Sequence, residues 1–213
     1  MDLIYQIIDY LSFTTPIILI IGIYICVYQK NKSNTNRLIL YLFLFGLIVD
    51  VLSRVFARLY NNNLVFINIY NILDLIILFL IIKTNSHNFK KGYWIFFVLI
   101  LFYNFYDLFS IDFNKPLEYQ SYSRSINSIF LLFISLLQLV KDIISNEIDH
   151  NKQLLIYIAI FLTLNAFLNI PINFLINYSN NTIFIIWLIN TININFFYSY
   201  LLYYVWKSGK TPK

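Results

Sequence analysis

From near its start to near its end, this chain repeats apolar runs about twenty residues long, separated only by short polar connections. A helix needs roughly 20 residues to cross a hydrocarbon core of about 30 Å. Read against that length, the runs fall at about 10–28, 38–60, 64–83, 92–111, 124–144, 153–177 and 183–206. The expected fold is all-α, a polytopic transmembrane bundle of seven helices in which residues 1–213 form a single membrane domain. The apolar part of the fifth run extends only from Ile126 to Val140 before Lys141 and Asp142 follow, so a six-helix arrangement is the alternative. No connection is long enough to hold a separate soluble domain.

Composition points the same way. Hydrophobic residues make up 60% of the chain and charged residues 12%, whereas soluble domains carry about 25% charged residues. An ordinary soluble core is excluded, and any function acts within or at the bilayer. The start, Met1-Asp2, lacks the positive region of a cleavable signal, so the first run reads as a membrane helix. Cys26 is the sole cysteine, which leaves no intrachain disulfide and supplies no zinc site by itself.

The net charge of +5 does not form a basic stripe of the kind that binds nucleic acid. Lys and Arg lie at the ends of the apolar runs, where they set orientation. One face of the expected bundle receives Lys30, Lys32, Arg37, Lys83, Lys90, Lys91, Lys141, Lys152, Lys207, Lys210 and Lys213. The other receives only Arg54, Arg58, Lys115 and Arg124. The positive-inside rule therefore puts the N-terminus outside and the C-terminus in the cytoplasm, as expected of a multi-pass protein of the cell's inner (plasma) membrane. Trp94 and Trp206 then fall at the cytoplasmic interface, where aromatic side chains concentrate.

An ionisable group at the middle of a membrane helix costs about 2.5–3.5 kcal/mol on insertion scales, so each one calls for a partner, a cavity or a function. Three stand out: Asp50 and Arg54 in the second run and Asp74 in the third. Asp50 and Arg54 are four residues apart and share a helix face. The second and third runs are joined by a few residues and must be antiparallel neighbours. An Asp50–Arg54–Asp74 cluster between these helices is the expectation, with Asn71 one turn from Asp74.

The sixth run carries Asn165, Asn169 and Asn173 at four-residue spacing, a single amide stripe, with Pro171 interrupting the helix. Proline removes a backbone donor and frees a carbonyl one turn back, and such groups can line a hydrated cavity. Asn190 and Asn193 in the seventh run and Asn104 in the fourth complete the set. These residues predict a polar pocket opening to the outer side, floored by Asp50 and Asp74. The plainer alternative is that the amides are interhelical glue worth about 0.6–2 kcal/mol each.

No enzyme motif accompanies them. Asp50 and Asp74 lack a GxGD context, and Arg54 beside them would hold both ionised, whereas an aspartyl dyad shares one proton. His87 and His150 lie in loops without a second ligand at helical spacing, so no metal site is expected. The seventh run has no lysine for a retinal Schiff base, and no GxSxG, CxxC or phosphate-binding glycine loop occurs.

The stretch Ile69-Tyr70-Asn71-Ile72-Leu73-Asp74, followed by an apolar run, resembles a pattern in small, uncharacterised bacterial seven-helix membrane proteins. Those proteins usually carry Glu where this chain has Asp74. Their last two spans are also similar in order, an Asn-bearing span before an Asn-bearing terminal helix. The resemblance implies the seven-helix membrane fold and no particular activity. From the residues, the leading expectation is a non-catalytic sensory or regulatory module without cofactor, which binds a small ligand or a protein and signals to a partner at the cytoplasmic face. The alternatives are a small-solute or ion transporter using Asp50 and Asp74, and a membrane accessory of a multi-gene system such as a defence locus, where a homo-oligomer could form a pore.

Overall fold

The computed structural model describes residues 2–29, 33–60, 63–86, 89–111, 122–144, 150–175 and 180–209. The elements are α1 (Asp2–Tyr28), α2 (Asn34–Tyr60), α3 (Leu64–Thr84), α4 (Gly92–Phe109), α5 (Ser123–Ile144), α6 (His150–Leu175) and α7 (Asn180–Ser208). Among the described residues there is no strand. All seven helices are long and apolar enough to cross a membrane, α5 included, so the six-helix alternative falls away.

Ile, Phe and Tyr are not strong helix formers in water. In lipid the backbone has no other partner for its N–H and C=O groups, so helix is the only open-ended solution. Helices exceed the expected spans where polar ends continue the same hydrogen bonding: α2 begins at Asn34 rather than near 38, and α1 extends back to Asp2.

Six helices form a closed ring in the order α1, α2, α3, α5, α6, α7, with α7 packed back against α1. The remaining helix, α4, lies outside the ring against α3 and α5. Aromatic rings dock it there: Phe79 of α3 stacks on Phe97 with centroids 4.2 Å apart and meets Trp94 edge-on at 5.0 Å.

The two halves of the bundle differ. The half towards the α1–α2 connection holds the apolar core, where Ile39, Phe43, Phe79, Ile82, Leu154 and Leu201 are fully buried. Gly22 lets α1 approach α2 closely, since a Cβ there would lie 2.5 Å from the ring of Phe43. A hydrogen-bonded latch closes this end. Asn36 donates its side-chain amide to Gln29 Oε1 and Ser208 Oγ, each at 3.0 Å, and Gln29 donates to Ser208 Oγ and the Val205 carbonyl. The half towards the α2–α3 connection holds most of the buried amides.

Candidate ligand cavity

Inside the ring, at the α2–α3 end, lies a cavity of about 390 Å³. All six ring helices contribute to its wall and α4 does not. Its apolar lining includes Leu19, Val49, Phe66, Ile67, Trp187 and Ile194, and its polar lining includes Asp50, Arg54, Asn71, Arg124, Asn169 and Asn190.

Asp50 and Arg54 form the ion pair that their spacing predicts. Arg54 Nε donates to Asp50 Oδ2 at 2.8 Å and Nη2 to Oδ1 at 3.2 Å, a two-point grip. The same guanidinium reaches α1, where Nη2 donates to the Ser12 carbonyl at 2.7 Å and Nη1 to Ser12 Oγ at 3.4 Å. The reason lies four residues on. Pro16 sits inside α1, and having no N–H it cannot bond the carbonyl one turn back, that of Ser12. A proline frees an acceptor inside the membrane, and an arginine from the next helix takes it.

The expected Asp50–Arg54–Asp74 cluster is therefore corrected. Asp50 and Ser12 take up Arg54, and no hydrogen bond or ion pair joins it to Asp74 among the described residues. Asp74 lies one turn beyond Tyr70, outside the cavity wall, and its Oδ1 is buried without a hydrogen-bond partner. The cation whose field acts on it is Arg124 of α5.

Of the amides, Asn71, Asn169 and Asn190 line the cavity as expected. Asn104 does not: it faces α5, where Asn104 and Asn127 exchange side-chain hydrogen bonds at 2.8 and 2.9 Å. Asn127 also donates to the Asn71 carbonyl at 3.2 Å, tying α3, α4 and α5 together. Asn165 lies behind the wall, donating to Ser128 Oγ at 3.2 Å and accepting from Asn169 at 2.7 Å. Asn193 is buried outside the wall, its Nδ2 without a partner. The side chains of Asn173 and Pro171 lie outside those described.

Most of the wall was not among the site residues expected from the sequence, and Tyr70, Tyr198, Gly46, Trp187 and Arg124 stand out. Tyr70 and Tyr198 hydrogen-bond hydroxyl to hydroxyl between α3 and α7. Gly46 of α2 faces this pair, and a Cβ there would lie in contact with the Tyr198 hydroxyl at 3.4 Å. Trp187 forms part of the aromatic wall, and Arg124 brings the second guanidinium. A signal existed for Arg124: an arginine one residue into a membrane-length helix. Nothing separates Tyr70 or Tyr198 from the other tyrosines of an 18-tyrosine chain.

Among the described residues no group of three His, Cys, Asp or Glu side chains is placed to hold a metal ion. The wall offers charge, hydrogen-bond donors and acceptors, and aromatic surface. That combination suits binding: ligand pockets are mostly apolar, with a few convergent polar groups and volumes of about 300–1,000 Å³. Compared with known proteins, the chain matches no family model, no curated protein and no solved structure.

Proposed function

We propose that this chain is a non-catalytic sensory or regulatory module of the inner (plasma) membrane, which takes a small ligand into the cavity and signals to a cytoplasmic protein. The observation that carries the reading is a cavity of about 390 Å³ walled by all six ring helices, so that an occupant touches every element whose packing could change. The cavity occupies the half of the bundle opposite the hydrogen-bonded latch among Gln29, Asn36 and Ser208. The distribution of Lys and Arg orients the cavity end outward, with the N-terminus outside and the C-terminus in the cytoplasm. The ligand then enters from outside, and the latch end faces the partner.

Orientation is tested by labelling. In a Cys26→Ala background, Ser53→Cys at the cavity is expected to react with a membrane-impermeant maleimide on intact cells. Lys91→Cys, exposed in the α3–α4 connection, is expected to react only after permeabilisation. The reverse pattern would invert the bundle.

The signalling half predicts a reproducible cytoplasmic protein on affinity purification from mild detergent, enriched over an unrelated membrane protein. The transport reading draws on one observation, the buried partnerless carboxylate oxygen of Asp74. Recovery of no partner, together with solute flux in liposomes that is lost in a folded Asp74→Asn variant, would replace the sensor by a transporter.

A further inference from the structure

Resting on the reading of the cavity as a ligand site, we infer that its occupant is a small organic monoanion with an apolar body, recognised by Arg124. Among the described residues three charged ones stand in the wall: Asp50, Arg54 and Arg124. Arg54 is neutralised by its two-point contact with Asp50, and a further donor is committed to the Ser12 carbonyl. Arg124 makes no hydrogen bond or ion pair through its guanidinium with any described residue.

A guanidinium carries five donors in a planar fork and stays charged, which suits it to grip a carboxylate at two points. On the cavity wall it has, among the described residues, none of the acceptors that Arg54 has. Asp50 and Arg54 cancel, so Arg124 leaves the wall one positive charge in excess, which a single negative charge balances and two would overshoot; Asp74 stands outside the wall and makes no ion pair with it. A second wall group is also incomplete: Asn190 Oδ1 is buried without a hydrogen-bond partner. An amide oxygen accepts, so it calls for a hydroxyl or N–H on the body of the occupant, which the carboxylate itself cannot supply. The apolar lining, which includes Phe66, Trp187 and Ile194, accepts an apolar body and has no use for a hydrated inorganic ion.

Trp187 provides the readout. The chain has three tryptophans, so Trp94→Phe with Trp206→Phe leaves Trp187 alone to report on the cavity. The protein, in phosphatidylcholine nanodiscs, is titrated with a graded series of straight-chain and phenyl-substituted monocarboxylates, each against its own amide. Trp187 emission and the melting temperature are both followed. At least one acid is expected to bind about tenfold or more tightly than its amide, the value of one charge-assisted contact. Arg124→Gln is expected to abolish that preference while the amide's affinity stays, and Arg124→Lys to restore part of it. Inorganic phosphate is expected not to compete, and adding phosphatidylglycerol to the nanodisc not to displace the acid.

Acid and amide binding equally, or a preference that survives Arg124→Gln, would overturn the assignment to Arg124 and leave the cavity as a binding site. Competition by phosphate or by the anionic lipid would overturn the organic monoanion. Binding of neither acids nor amides would overturn both this inference and the reading of the cavity on which it rests.

Discussion

Arg54→Leu is expected to destabilise the protein by roughly 2–4 kcal/mol, measured by reversible unfolding in mixed micelles. The substitution leaves Asp50 near the middle of α2 without its cation, and removing one member of a partly buried pair within the membrane costs more than removing both. It also removes the donor that the Ser12 carbonyl accepts from at 2.7 Å, one that Pro16 cannot replace. The double variant Asp50→Asn with Arg54→Gln removes both charges and keeps a donor at residue 54. It is expected to recover roughly 1–2 kcal/mol of the loss, the range of coupling between neighbouring groups. A double variant as unstable as Arg54→Leu would mean that the two residues do not act as a unit.

Asn127→Leu is expected to cost roughly 3–5 kcal/mol by the same measurement. Three hydrogen bonds go: two exchanged with Asn104 and one donated to the Asn71 carbonyl. Interhelical hydrogen bonds in membranes average about 0.6 kcal/mol and reach about 1.7 kcal/mol. Asn104 keeps its bond to the Ile100 carbonyl at 2.8 Å through Nδ2, so it is its Oδ1 that is left without a donor, at a further cost of about 1–3 kcal/mol. The Asn104→Leu, Asn127→Leu double variant is expected to fall short of the sum of the two single losses. A neutral Asn127→Leu would assign these amides to the chain's general abundance of asparagine.

Which parts of this arrangement the sequence discloses depends on whether one helix decides them. Asp50 with Arg54 and Asn165 with Asn169 are four residues apart, and helical geometry alone brings each pair together. Both appear as hydrogen-bonded pairs. The seven spans are equally local, a matter of run length. Asp74 and Arg124 are different, because their approach depends on α3 meeting α5. Chain order suggests that α4 should stand between those helices; instead the aromatic packing around Phe79 holds α4 outside the ring.

Asn104 shows the same dependence from the other side. Its placement on α4 removes it from the cavity, and Asn127, on a helix whose apolar run is short, becomes its partner. The Ser12 carbonyl was legible in principle. The rule applied to Pro171 holds equally for Pro16, and it marks Ser12 as an acceptor seeking a donor.

Closure of the ring between α1 and α7 has a bearing on how the protein is made. Asn195 of α7 donates to the Leu11 carbonyl at 3.0 Å and accepts from Thr15 Oγ1 at 2.7 Å. These contacts join the first of the seven helices to the last, so during synthesis they form only after five others have emerged. Arg54 needs no such delay. Its partners lie in its own helix and in the one before it, so its charge is neutralised as soon as α2 enters the bilayer beside α1. Insertion thus meets the costly ionic group early and with partners at hand, while the cheaper neutral amides are left to the last helix to be delivered.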